Sequence, residues 1–383
     1  MPDATTRRRY LTAGGAVVAG AFAGCTGSEA SDETTPATTG THSATMAPMG
    51  TVEFDAVPER IFTRLTHLAG MAFALGRGND VNAMHAPDYY DALWNQFTPR
   101  LDGVSLDWSG LYSSWNPRKE KLYELDSDVH LADPAGMAAL DGWQSSDIEE
   151  IATNVAPWFG NYYSARHGDP PADWADRYRY YGLWEMFEKV SQVFQAQERY
   201  AALAEIHDEL LATIADRLPP ADARPSAVMA LPRDFDTIYA YKVNNPGYLT
   251  AHTRPFGLTE AFPDISSGDT VDMEAMLEAD PDVLLGLGGM HPDTDLPAAR
   301  ERLRTHPVGR QLSAVENERV YAQGARFQGP ILNLFQLEMT AKQLFPEQFG
   351  AWPTYIDGPY PELPAEERLF DRERVASTIR GEV

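Results

Sequence analysis

Cysteine is almost missing from this chain: Cys25 is the only one in 383 residues. A single thiol excludes internal disulfides and cysteine metal clusters. Basic charge is also scarce. The 31 Lys and Arg residues, mostly Arg, stand against 56 Asp and Glu, for a formal net charge of -25. The acidic excess is spread along the chain without one acidic tail, and it argues against a nucleic-acid partner. Long apolar runs are absent as well. The Gly- and Ala-rich run from Leu11 to Ala23 is shorter than a membrane span needs, and no other run is long and apolar enough. Neither Gly-x-Ser-x-Gly nor His-Glu-x-x-His occurs. Gly286-Leu287-Gly288-Gly289 follows an expected strand but lacks the Lys-Ser/Thr that grips phosphate. Ser266-Ser267-Gly268-Asp269 reads as a polar turn. These absences weigh against catalysis and nucleotide binding.

What is present begins with two helical stretches. Leu183, Phe187, Val190 and Phe194, then Leu203, Ile206, Leu210, Ile214 and Leu218, repeat every three or four residues, as on a helix with one buried face. The longer helix, from about Glu198 to Leu218, spans roughly 30 Å and stops at Pro219-Pro220. Strand and helix signals alternate on both sides of it, as in α/β folds. Before it, strands are expected at Arg60–Phe62, Val81–Met84 and Val129–Ala132, with a helix at Leu68–Leu75. After it come strands at Ser226–Leu231, Val283–Leu287 and Arg319–Ala322, and helices at Asp272–Ala279 and Ile331–Phe345, with a weak terminal helix from Glu366. Residues 26–50, rich in Thr, Ser, Ala, Pro and Gly, read as a flexible tether. Two stretches, 87–118 and 158–184, are loop-like and dense in Trp and Tyr. Some of these rings are expected to line a cleft for a large planar or amphipathic ligand.

The first residues resemble an export signal. Thr6-Arg7-Arg8-Arg9-Tyr10-Leu11 resembles the twin-arginine motif, and Phe22-Ala23-Gly24-Cys25 looks like a lipobox, which makes Cys25 the expected lipid anchor. Four further segments resemble one family, the substrate-binding lipoproteins of ABC importers for ferric siderophores, haem and cobalamin. They are Pro58-Glu59-Arg60-Ile61 before a helix ending at Leu75-Gly76, Leu125 to Leu131, Glu278-Ala279-Asp280-Pro281-Asp282-Val283-Leu284-Leu285, and Asn317-Glu318-Arg319-Val320-Tyr321 followed by Gly-Pro and a helix. The acidic, arginine-favouring composition is haloarchaeal-like. The resemblance implies an α/β fold of two Rossmann-like lobes joined by a single long backbone helix, the class III periplasmic-binding-protein fold. It divides the chain into a signal (1–25), a tether (26–50), an N-terminal lobe (51–182), connecting helices (183–218) and a C-terminal lobe (219–383).

On that resemblance the protein captures an Fe(III) chelate, a ferric siderophore, outside the cytoplasmic membrane and delivers it to an ABC permease and its ATPase. No intrinsic cofactor is expected. A haem, cobalamin or bare-metal receptor of the same fold is the alternative, ahead of an exported enzyme or a surface structural protein. Ligand contacts are expected at strand ends and the loops beyond them. Arg64, Arg118, Arg166, Arg233 and Arg326 lie at such points, and a guanidinium suits carboxylate or catecholate oxygens. Trp115, Tyr163, Tyr239 and Phe327 are expected as stacking walls, and His85 and His291 as candidate axial ligands to a metal. The family docks on its permease through one acidic residue per lobe; Glu260, with Asp88 or Asp91, is expected there by position.

Overall fold

The computed structural model describes residues 40–230, 235 and 237–382. Its strands, in chain order, are β1 (His42–Met46), β2 (Gly50–Phe54), β3 (Ile61–Thr63), β4 (Val81–Met84), β5 (Tyr112–Ser113), β6 (Val129–Leu131), β7 (Ser226–Met229), β8 (Ile238–Ala240), β9 (Thr259–Glu260), β10 (Asp269–Val271), β11 (Val283–Gly286) and β12 (Val320–Ala322). Six helices matter below: α1 (Thr66–Ala74), α2 (Pro87–Trp94), α3 (Leu183–Val193), α4 (Gln197–Arg217), α5 (Pro330–Leu344) and α6 (Arg372–Arg380).

Two four-stranded parallel sheets form the frame. The first has the order β5-β4-β3-β6 and the second β12-β11-β7-β9. Their central strands are short apolar runs. All residues of β3 and of β11 are buried, as expected for parallel strands covered on both faces. Because every strand in a sheet points the same way, the loops after β3, β4 and β6 gather at one edge of the first sheet. Those after β7, β11 and β12 gather at one edge of the second.

Between the sheets in chain order lie α3 and α4. The 21-residue α4 buries Leu203, Ile206, His207, Leu210 and Ile214, a single stripe at helical spacing. By contrast, α1 and α5 are buried on every side. The chain has placed them inside, where α5 packs against α1, α3 and α4. Backbone meets backbone at the α1–α5 crossing. A Cβ added to Gly329 would sit 2.6 Å from the Gly70 Cα, and one added to Gly70 would sit 2.4 Å from Trp94. Gly329→Ala must therefore push apart the helices that follow β3 and β12. The expected cost is about 1–3 kcal/mol, read as a lower denaturation midpoint; an unchanged midpoint would refute this account of the contact.

Two regions differ from the expectations. Residues 42–50, assigned to the tether, belong to the β1–β2 hairpin, which packs on α3 and buries Ala44 and Met46. Stretch 87–118 is not all loop: it holds α2, and Trp94 and Trp108 fill the core, with Trp108 Nε1 donating to the Gly78 carbonyl at 3.2 Å. The terminal helix expected from Glu366 is present at Arg372–Arg380. This helix, α6, lies on α4, with Arg374 paired to Glu205 and Glu209. Cys25 and Arg233 lie outside the described residues.

Candidate binding cleft

Arg64 is the first residue after β3. Its side chain turns inward and the residue is only 6 % exposed. Its guanidinium lies over two rings, 5.2 Å from the centroid of Trp115 and 5.7 Å from that of Tyr162. Burial lowers its pKa from the ordinary arginine value, and the nearby tyrosines and Asp133 oppose the shift. Asp133 follows β6. Its Oδ2 accepts the Tyr178 hydroxyl at 2.5 Å and the Tyr162 N–H at 2.7 Å, and its Oδ1 accepts the Ala135 N–H at 2.8 Å. Burial raises the Asp133 pKa, and those donors work against the rise.

Facing this from the second sheet is Arg326, four residues beyond β12. Its Cζ lies 4.0 Å from the Tyr241 ring centroid, and its Nη2 donates to His167 Nε2. Burial brings its pKa down to about 10, so it stays charged at neutral pH. Among the described residues, neither Arg64 nor Arg326 pairs with a carboxylate. Burying a cation without a counter-ion is costly, and the aromatic faces offset part of that cost.

Between the two arginines the floor is aromatic. His67, fully buried on α1, stacks on Tyr248 at 4.3 Å and on Phe327 at 6.0 Å. Among the described residues neither ring nitrogen of His67 has a hydrogen-bond partner, and burial lowers its pKa to about 3, so the ring is neutral. The adjoining Gln328 donates to His252 Nδ1 at 2.6 Å. It accepts from Asn333 at 3.0 Å and from Gln336 at 2.8 Å. That buried chain fixes the loop carrying Arg326 and Phe327 to α5. The space beneath Arg64, bounded by His67, Asp133, Asn161 and Tyr162, is about 10 Å³, room for roughly one water.

The other expected residues divide. Trp115 reaches the cleft and is 42 % exposed. Tyr163 is buried edge-on against Tyr162 and Tyr178. Tyr239, 57 % exposed on β8, is two residues before Tyr241 and so on the same strand face; Tyr241, not Tyr239, meets Arg326. Arg166 is exposed and stacks on Tyr180 at 3.9 Å. Arg118 lines a separate depression of about 310 Å³ with Lys119, Trp143 and Asp147. Residue order hid Tyr162, His67, Tyr248 and His167. Asp133 was findable, since it stands just past a strand end.

A model of the periplasmic binding protein family matches residues 104–326, more than half of the chain. The chain belongs to the periplasmic binding protein family. No curated protein matches it. Several solved structures share the fold. A periplasmic binding protein from Veillonella parvula has 14 % identity and a TM-score of 0.56, over 82 % of this chain and 95 % of that one. An ABC-type Fe3+-hydroxamate transport protein of Saccharomonospora viridis has 23 % identity and a TM-score of 0.51, over 77 % and 96 %. The triscatecholate siderophore-binding protein FeuA of Bacillus subtilis, complexed with ferri-bacillibactin, has 14 % identity and a TM-score of 0.52, over 79 % and 97 %.

In this binding protein the three acidic residues expected at a permease are engaged at home. Glu260 accepts the Val243 and Asn244 N–H groups at 3.1 and 2.7 Å. Asp91 accepts the Trp108 N–H at 2.6 Å, and Asp88 accepts that of Gly110 at 2.7 Å. They hold loops in place, and a docking role would compete with that. The two expected axial histidines are covered. His291 lies against Tyr89 at 4.1 Å, nearly coplanar, and its Nδ1 accepts the Asp293 N–H. His85 lies 4.5 Å from Trp115, and burial, helped by Arg64, lowers its pKa. Among the described residues no group of three or more His, Cys, Asp and Glu side chains converges to hold a metal ion, and no helix is long and apolar enough to cross a membrane.

Proposed function

We propose that this protein is the extracytoplasmic receptor of an ABC importer, that it captures a ferric siderophore between its lobes, and that it passes the chelate to a permease. One observation carries the reading: each lobe offers a guanidinium free of any described carboxylate and set among aromatic rings, Arg64 buried and Arg326 partly buried. Such a pair suits an organic chelate whose iron-binding oxygens are anionic and whose body is apolar. The iron arrives within the ligand as cargo. The ferri-bacillibactin complex of the Bacillus subtilis protein and the Fe3+-hydroxamate description of the Saccharomonospora viridis one support this ligand class. Trp115, Tyr162 and Phe327 would cover the chelate's apolar faces. Because α5 locks against α1 and α3, the lobes would tilt rather than swing. A lipid on Cys25 would keep the receptor near its permease.

The test is a titration followed by tryptophan fluorescence, using ferric catecholate, ferric hydroxamate, haem, cobalamin and free Fe(III). Saturable one-to-one binding of a ferric chelate is expected, without turnover. Arg64→Ala and Arg326→Ala should each weaken it about tenfold to a hundredfold, the worth of a hydrogen bond to a charged group. Tight binding of cobalamin or haem alone would replace the ligand, and unaltered affinity in both variants would remove the arginines from the site.

A further inference from the structure

Arg326 is occupied in this structure by the protein itself. Its partner His167 belongs to the opposite lobe, on segment 161–181. That segment is stitched into one body. Asn161 Nδ2 donates to the carbonyls of Arg179 and Ala47, each at 2.9 Å, and the Tyr181 N–H donates to Ser164 Oγ at 2.8 Å. The Tyr178 hydroxyl anchors it to Asp133. Two further contacts cross between the lobes: the Tyr248 hydroxyl donates to the Tyr162 carbonyl at 3.2 Å, and Tyr89 stacks on His291. The cleft is shut by its own side chains, and the contact on Arg326 is the one that occupies an expected ligand-binding charge.

We propose that His167 is a built-in competitor for Arg326, which sets a fixed opening cost that an anionic oxygen repays best. This deepens the ferric-chelate reading and rests on it. An imidazole nitrogen is a neutral acceptor. An anionic oxygen adds the attraction of an ion pair to its hydrogen bond with the guanidinium, which a neutral acceptor cannot do, so it displaces His167. A neutral oxygen exchanges like for like and gains nothing, while the cost of opening segment 161–181 remains. The rival costs every ligand that reaches Arg326 the same amount, so the preference lies in the ligand's own contacts, and the rival pushes weakly held neutral ligands below useful affinity.

The first measurement needs no ligand. Phenylglyoxal modification of Arg326, followed by peptide mass spectrometry, is compared in the wild type, His167→Ala and His167→Gln. His167 is on the surface, and thermal melts confirm that the variants are folded. Arg326 should react several-fold faster in His167→Ala, with Gln, which keeps an acceptor, restoring much of the protection. Equal rates in all three proteins would overturn the proposal. The second is a fluorescence titration with anionic ferric tris(2,3-dihydroxybenzoate) and neutral ferric tris(acetohydroxamate). The wild type should prefer the anion, and His167→Ala should gain about tenfold for both complexes. Unchanged affinity for both complexes would overturn the competitor role. If the wild type binds neither complex, the ferric-chelate reading fails, and the modification rates still decide whether His167 guards Arg326.

Discussion

Between pH 6.5 and about 4 the protein should lose most of its stability, and buried histidines should be the cause. Burial lowers His67 to about 3; burial, with Arg326 adding to it, lowers His252 to about 3. His130 falls to about 4 through burial, and its hydrogen bond to Ala156 opposes the fall. The sign follows from proton counting. Below pH 6.5 the unfolded chain takes up protons at these rings and the folded chain does not, so stability drops as pH falls until the folded values are reached. At about 1.4 kcal/mol per pKa unit, roughly 3 kcal/mol is lost by pH 4 at each of His67 and His252. Two such losses rival the ~5–15 kcal/mol that holds a typical domain folded. Asp133 acts in the opposite direction, because its raised pKa means that acid relieves its burial. The lowered carboxylates of Asp147 and Glu150, paired with Lys119, weaken only at lower pH. The check is an acid titration by circular dichroism on the wild type and on His67→Phe, whose ring can keep the stack on Tyr248 and Phe327 while adding no titrating group. The variant's midpoint should move to lower pH. An identical midpoint would show that His67 has no part in acid unfolding.

That the burial of these histidines could not be read from the sequence is a matter of range. Periodicity reports local structure, and it served well where structure is local. Val81–Met84 was bounded by turn residues on one side and by a change of pattern on the other, and it is a strand with those ends. The long helix expected at 198–218 is α4 at Gln197–Arg217. Arg64 and Arg326 were legible because they stand just past strands in a parallel sheet. Tyr248 was not. It sits in a single helical turn after Gly247, whose φ of 104° bends the chain back toward Ser164, and no spacing connects it to His67. The β1–β2 hairpin was missed for a different reason. His42–Met46 is small and polar except at the positions that pack, so its composition looked like that of the tether before it. In stretch 87–118 the aromatic residues did signal something large being buried, but at Trp94 and Trp108 it is the core, not the cleft.

The end of the chain, where the sequence showed only a weak helix, is a strap whose loss should cost more than any single surface change. Glu338 on α5 is fully buried. Its Oε1 accepts from Arg372 at 2.7 Å and from the Tyr360 hydroxyl at 2.9 Å, and its Oε2 accepts the Leu369 N–H at 2.6 Å. Arg372, also buried, has Phe335, Tyr360 and Phe370 around its guanidinium at 5.4, 5.4 and 5.8 Å. Glu338→Gln removes the negative charge and leaves that guanidinium in a low-dielectric pocket. Breaking a buried pair from one side costs about 3–5 kcal/mol, and in a chain of this size the melting temperature should fall by on the order of 10 °C. Replacing both partners with apolar residues, Glu338→Leu with Arg372→Met, should recover much of the loss, because no charge is then stranded. A double variant as unstable as the single one would mean that the pair's worth lies in its hydrogen bonds to Tyr360 and Leu369 and not in its charges. The consequence reaches the cleft. Gln328 and Gly329 lead directly into α5, and Glu338 lies about two turns along it, so a strap that loosens should also free the floor beneath Arg326. Amide exchange in the 328–336 segment of Glu338→Gln is the measure, and protection equal to the wild type there would uncouple the strap from the site.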